Sequence, residues 1–193
     1  MDVAATLFLS QGYLGTSMDE VAAAAAVSKH AVYSHFADKE QLFSAIILAT
    51  TDQIDDLVGM VAGTLAGTSD LERDLSTLAG RFLNALMTPE LLRLRRLVIA
   101  NADRFPEFGR TWYQNGFERV LAMLVTSFEH LAGRDRLRID DPLLAANHFV
   151  GLVLWIPVNR AMFTGDHDAS SPADLGHYAQ EATRVFLRAY GNA

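Results

Sequence analysis

VSKHAVYSHF, Val27 to Phe36, sets one lysine, two histidines and a tyrosine behind an alanine run, Ala22 to Ala26. A metal pair is one reading of the histidines. His30 and His35 are five residues apart, however, and ligands sharing one helix face stand three or four apart. The apolar positions suggest something else. Val21, Ala25, Val27, Val32 and Phe36 are spaced to pack inward across two short helices, about 18–25 and 29–36. Small alanines let those helices cross closely. Ser28, Lys29, His30, Tyr33 and Ser34 are left on the outer face and N-terminal turn. Two short helices joined by so tight a turn form a helix-turn-helix, whose second helix enters a DNA major groove.

Working outward, helix signals continue in both directions. A first helix spans about Asp2 to Gln11, with Ala5, Phe8 and Leu9 on one side and Gly12 as its stop. Ser17 and Glu20 have capping-box spacing. Ser28 caps the next helix. Asp38 caps a fourth, with Gln41 at the reciprocal position, and Leu42, Phe43, Ile46, Ile54, Leu57, Val58 and Val61 carry its period onward. After a turn-rich break at 63–69, further helices are expected at 70–87, from Thr88-Pro89 to near Phe105, and from Pro106 to near Gly133. The last two start at Asp141-Pro142 and Ser171-Pro172. The expected fold class is all-α. A three-helix N-terminal head occupies residues 1–45, and a larger helical bundle occupies 46–193.

Of 193 residues, half are hydrophobic, enough for a sizeable core, and no cysteine is present. Disulfides and cysteine-based zinc sites are therefore excluded. The longest apolar run, Phe149 to Val158, is far below the roughly 20 residues of a membrane span. No signal-peptide pattern is visible. The expectation is a soluble cytoplasmic protein with no membrane partner. GxSxG, HExxH, P-loop and GxGxxG motifs are all missing, so no catalytic residues, cofactor or metal are assigned and the enzyme reading is set aside.

The net charge of −7 disfavours nucleic acid on bulk charge alone, but distribution matters more. Only two lysines occur, Lys29 and Lys39, and no arginine precedes Arg73. Residues 1–48 carry net charge −3. Phosphate neutralisation supplies most non-specific affinity, so modest binding with few charge contacts is expected.

TSMDEVAAAAAVSKHAVYSHFADKEQLFSAII resembles the DNA-binding segment of the TetR family of bacterial transcriptional regulators. Gly12, Thr16-Ser17, Val21-Ala22, Val27-Ser28, Tyr33, His35-Phe36 and Lys39-Glu40-Leu42 carry the likeness. RLRRLVIANADRFPEF and DDPLLAANHFVGL extend it more loosely into the second part. The resemblance implies phosphate contacts from Thr16, Tyr33, His35 and Lys39, with Ser28, Lys29, His30 and Ala31 facing the groove. Ser17 and Ser34 complete the expected DNA-binding set. Family members commonly have Gly-Thr where this chain has His30-Ala31, which removes one hydroxyl and adds an imidazole able to read a purine edge. They also carry basic residues ahead of the first helix, whereas this sequence begins inside it.

The larger part suggests two further partners. Leu175, Tyr178, Ala179, Ala182, Val185, Phe186, Ala189 and Tyr190 form an apolar stripe, and Phe149 to Ile156 is apolar almost all round. A second copy would cover what one chain cannot. Phe149, Leu152, Ile156, Tyr178, Ala182, Val185, Phe186 and Ala189 are the expected homodimer surface. Two-fold symmetry matches a near-palindromic double-stranded DNA operator. The resemblance also implies a small-molecule effector. Phe82, Leu86, Phe105, Trp112, Tyr113, Phe117, Met123 and Trp155 are the candidates, and they suggest a hydrophobic or aromatic, largely neutral compound. The Arg93, Arg95 and Arg96 cluster reads mainly as surface charge, and GDHDASS, Gly165 to Ser171, as a solvated turn rather than a metal loop. The expected function is a homodimeric, ligand-responsive regulator of transcription, most simply a repressor. The competing reading is a helical ligand-binding or interaction module with weak or lost DNA binding.

Overall fold

The computed structural model describes residues 1–49, 51–165 and 171–192. Asp166, His167 and Asp168 of the GDHDASS loop fall outside them. Among the described residues the architecture is all-α. The helices are α1 (Asp2–Gly15), α2 (Met18–Ala24), α3 (Lys29–His35), α4 (Lys39–Ala49), α5 (Thr51–Leu65), α6 (Leu71–Leu86), α7 (Pro89–Asn101), α8 (Pro106–Trp112), α9 (Glu118–Ala132), α10 (Pro142–Thr164) and α11 (Pro172–Tyr190). A π-helical turn, Tyr113–Phe117, separates α8 from α9.

Local chemistry sets most of the boundaries. Gly12 takes φ 79° inside α1, the left-handed region that suits glycine, and breaks the helix where its sequence stop was expected. Ser17 accepts a hydrogen bond from Glu20 N–H at 3.2 Å, and Glu20 Oε2 accepts one from Ser17 N–H at 2.8 Å. Both halves of the capping box are therefore present. Ser28 accepts from Ala31 N–H at 3.1 Å and Asp38 from Gln41 N–H at 2.8 Å. The Gln41 side chain reaches back to Ala37 N–H rather than to Asp38. Asp70, Asp141 and Ser171 cap α6, α10 and α11, and Ser171 with Asp174 makes a second capping box.

Several boundaries differ from expectation, and the fourth helix, expected to run on through Val61, is described as α4 to Ala49 and α5 from Thr51. Helix α7 stops at Asn101 instead of near Phe105. Asn101 O accepts from both Arg104 N–H and Phe105 N–H, closing a turn. Phe105 sits at φ −130°, ψ 74°, outside the helical region that a following proline disfavours. The long helix expected from Pro106 is interrupted by the π turn. That turn falls on Asn115-Gly116, both poor helix formers, and Asn115 donates its amide to Thr111 O at 3.0 Å.

Packing gathers the chain into two compact units that differ from the expected split at residue 45. One comprises Met1–Asp52 with Arg93–Gly116; the other comprises Gln53–Leu92 with Phe117–Ala193. The reason lies in the first unit's core. Tyr13 is 3% exposed and meets Phe43, Phe105 and Phe108 at centroid distances of 5.2, 4.8 and 5.0 Å. Leu94 and Val98 from α7 are buried in the same cluster. The three short helices and α4 thus complete their core with chain from beyond residue 90.

The second unit is built around Phe128, Phe149 and Phe186, all 0% exposed, with Phe186 lying 5.2 Å from each of the other two rings. Helix α10 is long and apolar enough to cross a membrane by length and composition. Its Ala145, Ala146, Phe149, Val153 and Ala161 are 0% exposed in this core, packed with α9 and α11.

The turn between α2 and α3 was not readable from the sequence. Val27 N–H reaches back to Ala22 O and Ala26 N–H to Ala23 O, both at 3.1 Å, the double bond of a Schellman ending. The left-handed residue is Ala26, at φ 53°, where a Cβ is disfavoured. Ala26→Gly removes that strain and should raise stability by about 0.5–1 kcal/mol after the entropy cost of glycine. A rise in the urea midpoint at unchanged slope checks it.

Candidate nucleic-acid interface

Helix α3 is anchored by one buried side chain, Val32 at 8% exposure, with Phe36 half-buried beyond it. Ser28, Lys29, His30, Tyr33, Ser34 and His35 are exposed, and Ala31 is half-buried. Val27, expected inside, is 47% exposed. It precedes the Ser28 cap in extended chain, where the Ala26 reversal turns it outward. The exposed positions of α3 and its N-terminal turn therefore carry hydroxyls, imidazoles, a phenol and an ammonium. Ser34 donates its hydroxyl to Ala31 O at 2.8 Å, and the Ser28 oxygen is engaged as the cap. The groups not committed to such local bonds are His30, Tyr33 and His35.

The two lysines are placed very differently. Lys29 Nζ lies 2.6 Å from Asp19 Oδ2, bridging α3 to the first turn of α2. Both side chains are more than half exposed. The Asp19 carboxylate holds the ammonium protonated above the ordinary lysine value, mainly through their hydrogen bond. Lys39, half-buried, donates to Tyr13 O and Thr16 O, each at 2.9 Å, and sits 4.6 Å from the Tyr13 ring centroid. Two of its three protons are thus spent on backbone carbonyls beyond the Gly12 break. Thr16 is 2% exposed, and its hydroxyl donates to Gly12 O at 2.9 Å. The phosphate contacts expected of Thr16 and Lys39 would draw on groups already engaged within the protein. Both side chains hold the α1–α2 connection, and an outward contact would have to compete with those bonds. Ser17 is exposed, but its hydroxyl is committed to the capping box.

The expected effector residues are divided between the two units. Phe105 and Trp112 are half-buried against the first unit's core, and Tyr113, of the same unit, is 51% exposed. Phe82 is 1% exposed within the second unit's core, where Leu86, Phe117 and Met123 lie half-buried. Trp155 is 70% exposed on α10. A groove of about 400 Å³ in the first unit is floored by Ala45, Phe105 and Phe108 and rimmed by Asp38, Glu40 and Arg104. Phe105 alone of the expected effector set lines it.

The expected dimer residues also divide. Phe149 and Phe186 are 0% exposed and Ala182 5%, wrapped inside their own unit, with Tyr178 half-buried. That corrects their assignment to the outer surface. Leu152, Ile156, Val185 and Ala189 are exposed, and Trp155 and Phe163 join them as large exposed apolar side chains. Period showed the stripe; it could not separate its inward half from its outward half.

Tyr13 reports on the integrity of the first unit. Burial pushes its hydroxyl up to about 12, with Glu40 and Asp38 adding to the rise and Arg104 opposing it. A raised folded value means that this contribution to stability is whole below the ordinary tyrosine value near 10 and is lost as pH climbs toward 12. The first unit should therefore loosen between about pH 10 and 12. Tyr13→Phe should remove that part of the alkaline slope, as read by absorbance titration alongside circular dichroism.

With this geometry, comparison with known proteins is specific. Residues 1–46 match the family model of bacterial regulatory proteins, tetR family, and residues 73–192 match that of the AefR-like transcriptional repressor C-terminal domain. A TetR-family transcriptional regulator from Mesorhizobium loti is 46% identical in sequence and superposes with a TM-score of 0.91, over 98% of this chain and 94% of that one. The flavonoid-responsive regulator FrrA is 28% identical with a TM-score of 0.76, over 98% and 96%. Among curated relatives, the transcriptional regulator AcrR of Shigella flexneri is 46% identical over 57 residues, 30% of this chain and 26% of that protein. The transcriptional activator FasR of Mycolicibacterium smegmatis is 33% identical over 81 residues, 42% of this chain and 36% of that one. The match thus spans about a quarter to a third of the length of these two relatives.

Proposed function

The chain belongs to the TetR family of bacterial transcriptional regulators, and from that premise we propose that it is a homodimeric repressor whose α3 reads a near-palindromic operator and whose hold is modulated by a small neutral effector. The observation that carries the DNA reading is the exposed polar face of α3, Ser28 through His35, beside a single buried anchor at Val32. Serine, histidine and tyrosine at helix spacing offer donors and acceptors to base edges and phosphates. The pairing of Lys29 with Asp19 and of Lys39 with backbone carbonyls supports a low-charge reader. The C-terminal match to a repressor domain supports repression, whereas FasR carries the name of an activator.

Dimerisation is supported by the outward halves of α10 and α11. Leu152, Trp155, Ile156, Phe163 and Val185 put large apolar surface into water, more than isolated exposed residues account for. A second copy presenting the same face would cover it symmetrically.

Selection from a random duplex pool tests the DNA reading. The wild type should enrich a near-palindromic sequence. Lys29→Ala with Tyr33→Phe should abolish that enrichment while sedimentation still shows a dimer; Ile156→Asp should split the dimer and weaken operator binding as well. A pool that stays random with the wild type would favour a ligand-binding module without useful DNA binding.

The effector reading rests on apolar and aromatic chemistry in the second unit, where Leu86, Phe117 and Met123 are half-buried against its core. FrrA, named as flavonoid-responsive, is support for an aromatic, mostly neutral compound. A thermal-shift screen should return such compounds, with stabilisation of about 2.7 kcal/mol at one hundred times the dissociation constant. Hits confined to highly charged metabolites would contradict it.

A further inference from the structure

Asp19 is a carboxylate placed against the reading face. It stands in the first turn of α2, and its oxygen lies 2.6 Å from the Lys29 ammonium of α3. Lys29 is the one lysine on that face; the other, Lys39, is turned onto the carbonyls of Tyr13 and Thr16. The pair is exposed, so it contributes little to folding and its bond is readily exchanged. We propose that Asp19 acts as an internal competitor for phosphate, holding Lys29 so that non-specific DNA is bound weakly and only a sequence that satisfies the rest of α3 draws the lysine away.

Ion exchange explains how this works. A free lysine that meets a phosphate releases a counterion from the duplex, and that release drives binding. When Lys29 leaves Asp19 to meet a phosphate, the exposed carboxylate takes up a cation in its place. The two exchanges oppose each other, so the net release from this contact is near zero. Removing the carboxylate restores it. Specific contacts from His30 and Tyr33 involve no such exchange, so the competitor weighs more heavily on non-specific binding than on operator binding.

This inference rests on the DNA-binding reading, and the test separates the two. Binding to a fluorescent random-sequence duplex is measured between about 50 and 200 mM salt for wild type, Asp19→Asn, Asp19→Ser, Lys29→Met and Asp19→Asn with Lys29→Met. Circular dichroism melting confirms that each variant is folded. The expected result is a two- to ten-fold tighter non-specific affinity for both Asp19 variants, with a salt slope steeper by up to about 0.9 per reading head. At least half of that gain should vanish in the Lys29→Met background, and affinity for the selected operator should rise by a smaller factor.

No gain in either Asp19 variant overturns the proposal. An equal gain with and without Lys29 also overturns it, because Asp19 would then be only a repelling charge. Binding of the random duplex by Asp19→Asn where wild type shows none would support it. If no protein in the set binds either the random duplex or a selected sequence, the DNA reading itself fails and the inference fails with it.

Discussion

The first unit depends on a lysine turned onto its own backbone. Lys39 donates into the carbonyls of Tyr13 and Thr16, just after Gly12 breaks α1, and lies over the Tyr13 ring. The bonds tie the start of α4 to the segment from which α2 departs. Tyr13 in turn is enclosed by Phe43, Phe105 and Phe108. Charge-assisted bonds to carbonyls and close aromatic packing are individually modest and add up around the buried Tyr13. The position of α3 is set by that arrangement through α2. A phosphate would have to compete with those carbonyls for the same cation.

The electrostatic character of the reading face follows from this use of lysine. Residues 1–48 hold two lysines and both are engaged within the protein, one half-buried against backbone and one at the surface with Asp19. Family resemblance implied both as DNA contacts. Exposed hydroxyl, phenol and imidazole groups accompany the Lys29 ammonium on α3. Recognition by such groups depends on correct alignment with base edges more than on long-range attraction. His30, standing where relatives commonly have glycine, belongs to this set and is exposed.

Helix starts were legible because capping is local. Ser17 with Glu20, Ser28, Asp38, Asp70, Asp141 and Ser171 each act within three residues of sequence, and each sits where its pattern indicated. What escaped notice was set by distant chain or by backbone alone. Ala26 in the left-handed region has no side-chain signature, since alanine, unlike glycine or asparagine, does not mark that conformation. The π turn at 113–117 hides in a periodic apolar pattern that a continuous helix also satisfies. Phe105 and Phe108 show an apolar face, but the pattern does not say which core takes it. Trp155 looked like a cavity wall and Phe149 like a subunit contact for the same reason: an apolar residue announces that it wants cover without naming the cover.

The most direct measurement is amide chemical-shift mapping of the labelled protein as a selected operator duplex is added. The account predicts the largest shifts across Ser28 to His35 and at Asp19, with smaller shifts around Lys39, whose backbone ties should persist. Shifts centred on the 93–116 segment, or none at a concentration where the duplex is bound, would contradict α3 as the reading element.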